Sequence, residues 1–298
     1  MNHPFRGTGV ALVTPFKEQA VDYAALTQLV EHCVEGGVDF LVALGTTGET
    51  VTLSQQEQQQ VLRHIVETNQ GRVPVVAGYG GNDTASLIEQ VKTANFEGVD
   101  GILSASPAYN KPTQEGIYQH FMALEAVAPC PIILYNVPGR TASNMTAATT
   151  LRLANASDKF VAVKEASGNI HQAMQIIQGE KPAHFVLLSG DDNLTLPLIA
   201  VGAEGLISVV ANAYPSGYSQ LVQAARAGQQ ETARKLHYEY LDLVDALFID
   251  GNPAGVKYVL EQMGIGSSEL RLPLVPPTPT TKILLEQLMA AIPVQYLT

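Results

Sequence analysis

Short apolar runs alternate along the chain with longer stretches in which apolar residues recur at helical spacing. The longer stretches include 23–35, 54–69 and 84–96, and the pair Ser54 and Glu57 predicts a capping box at the start of the second. The nearly continuous apolar character of the short runs is typical of parallel strands that are covered on both faces. These runs predict eight strands, at 9–14, 40–45, 73–78, 101–105, 131–135, 160–164, 185–189 and 205–210.

Eight successive strand–helix units predict an α/β fold, the (β/α)8 TIM barrel, rather than an open doubly wound sheet. No G-x-G-x-x-G pattern follows the first strand, which weakens a dinucleotide-binding interpretation. We predict a catalytic barrel over residues 1–225 and a C-terminal helical subdomain over residues 226–298, with a proline-rich linker at 273–279 before the last helix. After the eighth strand the pattern becomes helical, over 218–227, 231–247, 254–263 and 280–292.

Composition narrows the class of protein. The chain has 298 residues, 46% of them hydrophobic, and a net charge of −11, which argues against nucleic acid and anionic membranes as partners but not against an anionic small substrate. Cys33 and Cys130 form no C-x-x-C motif, so neither a disulfide framework nor a zinc site is indicated. Residues 1–6 lack a signal-peptide pattern and no apolar run reaches the ~18 residues of a membrane span, so we expect a cytoplasmic protein.

Lys164 is a charged residue near the end of the apolar run 160–164. Leaving an ammonium group in such a setting costs several kcal/mol unless it is paired or neutralised, roughly as for other buried charges. Desolvation lowers the pKa of a lysine, and the neutral amine is the form that attacks carbonyl groups. Lys164 is therefore a candidate Schiff-base nucleophile, and a strand-end lysine that extends to solvent is the alternative.

Other strand ends carry residues that suit the same chemistry. Strand alternation places Phe160 on the face that carries Lys164, and it lets Tyr135 reach the same layer of the barrel mouth, where its hydroxyl could move protons. The alternative is a packed core tyrosine. The turn Gly45–Gly48 has exposed amides and two threonine hydroxyls that suit a carboxylate, although such turns are also common in structural loops. Arg140 follows a Pro-Gly turn. It is either a clamp for a substrate carboxylate or an ordinary surface residue.

Asp191 and Asp192 follow the seventh strand and could hold a divalent metal. No third carboxylate or histidine lies at ligand spacing, which favours a structural or capping role. The seven histidines are scattered, and we interpret them as surface or hydrogen-bonded residues rather than ligands. The sequence therefore predicts no metal site.

Four segments carry a recognisable combination of motifs: Gly-Thr-Thr-Gly-Glu at 45–49, Tyr-Asn-Val-Pro-Gly-Arg at 135–140, Lys-Glu-Ala-Ser-Gly-Asn at 164–169 and Ser-Gly-Asp-Asp at 189–192. Together they resemble the 4-hydroxy-tetrahydrodipicolinate synthase (dihydrodipicolinate synthase) family. This family lies within the pyruvate-dependent class I aldolase superfamily, which also holds N-acetylneuraminate lyase. The resemblance extends over almost the whole chain, including Asn252 and Pro253 near the C-terminus, and assignment within the superfamily depends mainly on Arg140.

The resemblance implies a lyase that condenses pyruvate with L-aspartate 4-semialdehyde to give 4-hydroxy-tetrahydrodipicolinate, the first step of the diaminopimelate route to lysine. Lys164 would form the imine with pyruvate, and Tyr135, Thr46 and Tyr109 would form the proton relay. In the family, the residue at the position of Tyr109 comes from the neighbouring subunit. The resemblance therefore implies an oligomer, usually a homotetramer built from two tight dimers.

The resemblance also implies how the two substrates are held. Thr46 and Thr47 would bind the pyruvate carboxylate, and Arg140 would bind the carboxylate of the semialdehyde. The backbone of Gly190 and Ile207 would line the pocket. No metal or organic cofactor is implied, because the lysine imine itself acts as the electron sink.

One departure from the family concerns feedback by lysine, which regulated members bind at the tight-dimer interface. Their histidines are replaced here by Gln55 and Gln58, their glutamate by Ser86 and their aromatic residue by Ala108, while Asn82 remains. Loss of the carboxylate removes the partner of the effector's ammonium group. We therefore predict weak or absent inhibition by lysine.

Two alternatives remain at this stage. The first is another pyruvate-dependent aldolase, such as a sialic acid or keto-deoxy-sugar acid lyase, against which Arg140 argues because a polyol substrate needs hydroxyl partners. The second is a barrel that has lost catalysis and only binds small molecules. The complete set of candidate side chains argues against loss of catalysis.

Overall fold

Eight parallel strands pair edge to edge until the last meets the first, in a computed structural model that describes residues 5–293. The strands are β1 (Gly7–Ala11), β2 (Phe16–Lys17), β3 (Ala20–Val21), β4 (Phe40–Ala43), β5 (Val75–Gly78), β6 (Gly101–Ala105), β7 (Ile132–Asn136), β8 (Phe160–Glu165), β9 (Val186–Ser189) and β10 (Gly205–Ser208). The closed order is β1-β10-β9-β8-β7-β6-β5-β4, and β4 pairs back to β1. The predicted (β/α)8 barrel is confirmed.

Helices surround the barrel and continue beyond its last strand. The predicted capping box is confirmed, because the Ser54 hydroxyl accepts from Glu57 N and the Glu57 carboxylate accepts from Ser54 N. The helices are α1 (Tyr23–Glu35), α2 (Gln55–Asn69), α3 (Thr84–Thr93), α4 (Gln114–Glu125), α5 (Pro138–Thr141), α6 (Ala147–Ala156), α7 (Ile170–Gln178), α8 (Thr195–Ala200), α9 (Pro215–Arg226), α10 (Gln230–Leu247), α11 (Ala254–Gln262) and α12 (Pro279–Ala291).

The strands separate two hydrophobic clusters, one inside the barrel and one between the barrel and the helices. Alternation along β7 explains the division, because Ile133 and Tyr135 belong to the inner cluster and Leu134 to the outer one. Each large apolar side chain buried in this way contributes about 1.5–3 kcal/mol relative to an exposed one. The inner cluster fills the barrel below its carboxyl end, which is the end where active sites of this fold form.

The alternation predicted for β8 is wrong at its first residue. Phe160 packs in the outer cluster, whereas Ala162 packs in the inner one. The pairing between β7 and β8 shifts at this point, from Ile132 opposite Phe160 to Ile133 opposite Ala162. An irregularity of this kind adds a residue to one strand and reverses the faces that follow it.

Two further features differ from the sequence prediction. The hairpin of β2 and β3 was not predicted, because its turn residues Glu18 and Gln19 adopt positive φ of 52° and 64° without glycine. Their backbone amides donate to the carboxylate of Glu269, which lies far along the chain. The helix predicted to start at residue 218 begins three residues earlier, at Pro215, since proline suits the first helical turn.

The C-terminal helices pack on one another and on the barrel. Helix α10 packs against α9, and α12 packs against both α10 and α11. The division at residue 225 stays a prediction, as does the absence of a signal peptide at 1–6, of which 1–4 lie outside the described residues. Within residues 5–293, no helix is long and apolar enough to cross a membrane.

Candidate active site

A cavity of about 300 Å³ opens at the carboxyl end of the barrel strands. Active sites of this fold form at that end, where the loops after the strands meet. The cavity brings together six of the eight residues singled out from the sequence: Thr46, Thr47, Tyr135, Arg140, Lys164 and Gly190.

Lys164 lies at the end of β8 and faces this cavity. It is 5% exposed, and within the described residues no carboxylate lies within 4 Å of its amine. Tyr135 stands opposite it in the β7–β8 pairing, and Lys164 Nζ lies 4.5 Å from the centre of the Tyr135 ring. The amine is therefore buried and adjacent to a hydroxyl-bearing ring, and no ion pair holds it.

A network of amides fixes the end of β8 from behind. The buried carboxylate of Glu165 accepts from Asn136 Nδ2 at 3.1 Å, from Gln172 Nε2 at 3.0 Å and from Ser167 N at 2.8 Å. Buried carboxylates need such donors, because an unpaired one is costly to desolvate. Since Glu165 points away from Lys164 along the strand, the network orients the backbone that carries the amine.

The two threonines of the cavity lie on a short 3-10 turn, Thr46–Gly48, that follows β4. Thr47 is buried and Thr46 is exposed. Close approach of β5 to this turn requires glycine at position 78, because a Cβ there would lie 2.1 Å from the oxygen of Leu44. The turn therefore sits directly above the inner core, with its hydroxyl-bearing face on the cavity.

Three side chains from the C-terminal region hold this turn and the segment after it; we call Asn252, Lys257 and Arg271 the C-terminal clasp. Asn252 Nδ2 donates to Thr47 Oγ1 at 2.9 Å, and Lys257 Nζ donates to the buried carboxylate of Glu49 at 2.5 Å. The Arg271 guanidinium binds Glu57 through both of its terminal nitrogens, at 3.0 and 2.6 Å. Sequence reasoning missed these contacts, because each joins residues more than 200 positions apart.

The Lys257–Glu49 pair is almost fully enclosed, with side chains 1% and 0% exposed. Burial lowers the pKa of Lys257 to about 8, although the Glu49 charge opposes this. Lys257 Nζ also donates to Glu269 O at 2.7 Å and lies 4.1 Å from the centre of the Phe16 ring. All of its partners lie in the protein, so this lysine serves to hold two parts of the chain together.

Asp191 and Asp192 have different surroundings. Asp192 is fully buried, and its carboxylate accepts from the Ser208 hydroxyl and from Val209 N, an arrangement that joins β9 to β10. Burial raises the pKa of Asp192 to about 6. Asp191 lines the cavity, and burial raises the pKa of its carboxyl against the opposing charge of Lys164. No group of three metal-binding side chains occurs in the part of the chain that the structure describes.

Arg140 lies in α5, directly after β7, and its side chain is exposed at the cavity rim. Among residues 5–293 it has no carboxylate partner within 4 Å, so its guanidinium is available to an anion. Phe248 and Asn252 complete the rim from the C-terminal side. Both residues lie in the turn region between α10 and α11, and sequence reasoning assigned neither of them a role in the site, because nothing local in the chain indicates that this region reaches the barrel mouth.

Two of the residues singled out from the sequence lie outside the cavity. Tyr109 is 88% exposed, in a loop where its φ is 68°. Ile207 is 1% exposed and packs in the inner core, and Val209 two residues later lines the cavity instead. The cavity of a single chain therefore contains Lys164 and Tyr135 but not Tyr109, the second tyrosine of the predicted proton relay.

Comparisons with known proteins agree with the observed fold. The model of the dihydrodipicolinate synthetase family matches residues 4–292. The 4-hydroxy-tetrahydrodipicolinate synthase of Parabacteroides distasonis is 54% identical over 272 residues, 91% of each chain, and that of Koribacter versatilis is 52% identical over 287 residues, covering 96% of this chain and 95% of the relative. The crystal structure of dihydrodipicolinate synthase from Thermotoga maritima superposes with a TM-score of 0.94 at 39% identity, covering 97% of this chain and 98% of that one. This chain belongs to the dihydrodipicolinate synthetase family.

Proposed function

We propose that this chain condenses pyruvate with L-aspartate 4-semialdehyde through an imine on Lys164, and so makes 4-hydroxy-tetrahydrodipicolinate for lysine synthesis. The observation that carries the proposal is a buried amine beside a tyrosine, in a cavity that also holds two threonine hydroxyls and the guanidinium of Arg140; over residues 5–293, neither cation has a carboxylate within 4 Å. Curated relatives with this activity that are about half identical support the same reaction.

The chemistry begins at Lys164. Its amine adds to C2 of pyruvate, and the carbonyl oxygen leaves as water to give the imine. Loss of a proton from the methyl carbon gives an enamine, whose carbon forms the new bond to the aldehyde carbon of the semialdehyde. The amine of the second substrate then attacks the imine carbon, which closes the ring and releases Lys164 as a free amine.

Every one of these steps moves a proton. Tyr135 lies beside Lys164 and accepts and returns protons as the pyruvate oxygen leaves. Thr46 links Tyr135 to Tyr109, which completes the relay. No metal or organic cofactor takes part, since the protonated imine withdraws electrons from the adjacent carbon.

The carboxylates of the two substrates bind at different places in the cavity, one at a pair of threonine hydroxyls and the other at an arginine. Thr46 and Thr47 hold the pyruvate carboxylate, with Gly190 and the backbone near Ile207 enclosing the rest of the molecule. Arg140 at the rim binds the carboxylate of the semialdehyde through charge-assisted hydrogen bonds. An arrangement of this kind orders the reactants before the bond forms, which lowers the barrier by removing the entropy cost of bringing them together.

The functional unit is an oligomer, in our proposal a homotetramer built from two tight dimers. Tyr109 is 88% exposed and Val51, at the cavity mouth, is 96% exposed, which is unusual for large side chains next to a site. A neighbouring subunit covers both and receives Tyr109 into its own cavity. Pyruvate and the semialdehyde are the partners of this cytoplasmic enzyme, and neither nucleic acid nor a membrane is required.

Lysine inhibits this chain weakly or not at all. The side chains at the positions of the family's effector site have local partners: Gln58 Nε2 donates to Thr50 O and Leu53 O, and the Ser86 hydroxyl donates to Asp83. Activity at neutral pH is expected to stay within about 20% of its uninhibited value in 1 mM L-lysine, a factor that corresponds to about 0.2 RT. Half-maximal inhibition below 1 mM would contradict this.

A coupled assay tests the proposed function. The purified chain is expected to consume pyruvate and L-aspartate 4-semialdehyde together and to leave N-acetylneuraminate unchanged. Cleavage of N-acetylneuraminate at a comparable rate, with no reaction of the semialdehyde, would instead assign a lyase of the same superfamily.

A further inference from the structure

Asn252 has a hydrogen bond that decides which way a hydroxyl in the cavity points. Its Nδ2 lies 2.9 Å from Thr47 Oγ1, and both residues are buried, at 8% and 3% exposure. An amide nitrogen can only donate, so Thr47 Oγ1 accepts in this contact. A threonine hydroxyl has one proton to give, and in this contact Thr47 does not use it.

Threonines around the same turn are oriented the other way. The hydroxyl of Thr14 donates to Gly48 O at 2.8 Å, that of Thr50 donates to Gly45 O at 3.0 Å, and that of Thr52 donates to Glu49 O at 2.9 Å. Their protons are used to stabilise the turn. Within residues 5–293, Thr47 has no such backbone acceptor, and its side chain lines the cavity.

We propose that Asn252 is a positioning residue that keeps the Thr47 hydroxyl proton aimed at the substrate carboxylate. A carboxylate accepts hydrogen bonds and never donates them. If Thr47 donated to the protein, it would present lone pairs to the carboxylate and repel it. The inference rests on the proposed function, because it takes the pyruvate carboxylate as the anion that Thr47 binds.

The position of Asn252 explains how the polarity is maintained. Asn252 lies in the loop between α10 and α11, and the adjacent Lys257 and Glu49 pair attaches that loop region to the turn. The amide therefore reaches Thr47 from a loop that the buried ion pair fastens to the same turn. Donation into Thr47 Oγ1 also polarises its O–H bond, which strengthens the next hydrogen bond in the chain.

Replacement of the amide by an acceptor of the same shape tests the proposal. Asn252→Asp offers an oxygen where the amide offered N–H, so the Thr47 proton turns towards residue 252 and away from the substrate. We expect KM for pyruvate to rise by about 10–100-fold, the range for losing a hydrogen bond to a charged group, while KM for the semialdehyde stays within about twofold. Asn252→Leu, which neither donates nor accepts, is expected to raise it by less.

A double-mutant cycle separates polarity from the added negative charge. In a Thr47→Val background the hydroxyl is absent, so the further effect of Asn252→Asp is expected to shrink to roughly threefold or less. An equally large effect with and without the hydroxyl would overturn the proposal. A KM for pyruvate in Asn252→Leu that equals or exceeds that of Asn252→Asp would overturn it as well.

Matched controls keep the result interpretable. Asn69→Asp makes the same chemical change at a buried asparagine whose amide binds Val73 at the far end of α2, and it is expected to lower stability without changing KM for pyruvate. If Asn252→Asp does not fold, the cycle of Asn252→Leu with Thr47→Val decides, and additive effects contradict the proposal. An inactive wild-type chain would refute the proposed function, whereas an active one with unchanged KM in the variants would refute only the role of Asn252.

Discussion

Two lysines of this protein are buried to a similar degree and differ in what surrounds them. Lys164 is 5% exposed, faces a cavity, and within the described residues has no carboxylate within 4 Å. Lys257 is 1% exposed, donates to Glu49 and to Glu269 O, and lies over the Phe16 ring. Within the described residues, the first amine faces open space beside the Tyr135 ring and has no hydrogen-bond or carboxylate partner, whereas the second is enclosed by a carboxylate, a backbone oxygen and an aromatic ring.

The different surroundings of the two amines show that burial alone does not make a lysine reactive. A desolvated amine is reactive only if a carbonyl carbon can reach it and no carboxylate keeps it protonated. A buried ammonium with good partners contributes mainly to specificity of packing, and removing one partner is far more costly than removing both. Burial therefore identifies candidates, and the neighbours of each amine decide between a nucleophile and a structural ion pair.

The largest expected effect is the loss of catalysis at the first lysine. Lys164→Ala is expected to lower kcat by more than about 10³-fold, because the covalent route disappears, while the fold is retained. Steady-state kinetics with both substrates and circular dichroism measure the two properties. A variant that keeps a tenth of the wild-type kcat would remove Lys164 from the centre of the mechanism.

The second lysine is expected to govern stability instead. Lys257→Met leaves the Glu49 charge buried without its cation, which costs about 3–5 kcal/mol and lowers Tm by roughly 10 °C. The double change Glu49→Gln with Lys257→Met is expected to recover much of that loss. Lys164→Met is the matched control, because within the described residues its amine has no carboxylate that the change would leave unpaired, and Tm is expected to fall by less than about 2 °C or to rise.

Thermal unfolding of these three variants decides whether the comparison holds. Equal losses of Tm in Lys164→Met and Lys257→Met would show that the two lysines do not differ in the way described.

Arg140 sharpens the comparison within the active site. Arg140→Ala is expected to raise KM for the semialdehyde by about 10–100-fold, since a charge-assisted hydrogen bond is lost, while pyruvate still forms its imine. Borohydride trapping with pyruvate alone monitors the first step, and steady-state kinetics monitor the second. A parallel loss of trapping would mean that Arg140 acts before the second substrate binds.

The smallest expected effect concerns the C-terminal clasp, and it is a change in how the free energy of unfolding depends on pH. The side-chain hydrogen bond from Arg271 holds the pKa of Glu57 at about 2, below its usual value of 4.5. A carboxyl with a lowered pKa in the folded state adds stability above its unfolded pKa, and this is lost as pH falls through the folded value. Between pH 5 and pH 3 the free energy of unfolding of the wild type is expected to fall by about 1 kcal/mol more than that of Glu57→Gln, because solvent screens a partly exposed pair.

Urea unfolding at several pH values measures this difference. Glu115→Gln is a suitable control, because Glu115 pairs with Arg152 at a much more exposed site and should change the slope less. Identical pH slopes for the wild type and Glu57→Gln would contradict the stabilising role of the Arg271–Glu57 pair.

Local patterns were sufficient to predict the barrel and the placement of Lys164 and Tyr135 together at its mouth. Lys164 and Tyr135 were found because strands alternate with a period of two and because the ends of parallel strands meet at one edge. The hairpin at β2 and β3 and the irregularity at Phe160 were not predicted, because neither glycine nor a break in hydropathy marks them.

Long-range contacts account for the rest of what the sequence did not indicate. Lys257 occupies one position in an ordinary helical pattern, and its partner Glu49 lies 208 residues away. The role of Asn252 is hidden from local patterns for the same reason, since its partner Thr47 lies 205 residues away. Single-chain patterns also do not determine what covers Tyr109, because its neighbours belong to another subunit in the proposed assembly.

The most direct test of the central claim compares the two lysines in one sample. The protein is incubated with pyruvate, reduced with borohydride, digested and examined by mass spectrometry. We expect one stable adduct, on Lys164, with Lys257 unmodified, and no adduct in Lys164→Ala. An adduct on Lys257 or on another lysine, or active protein that yields no adduct, would contradict the assignment of Lys164 as the nucleophile.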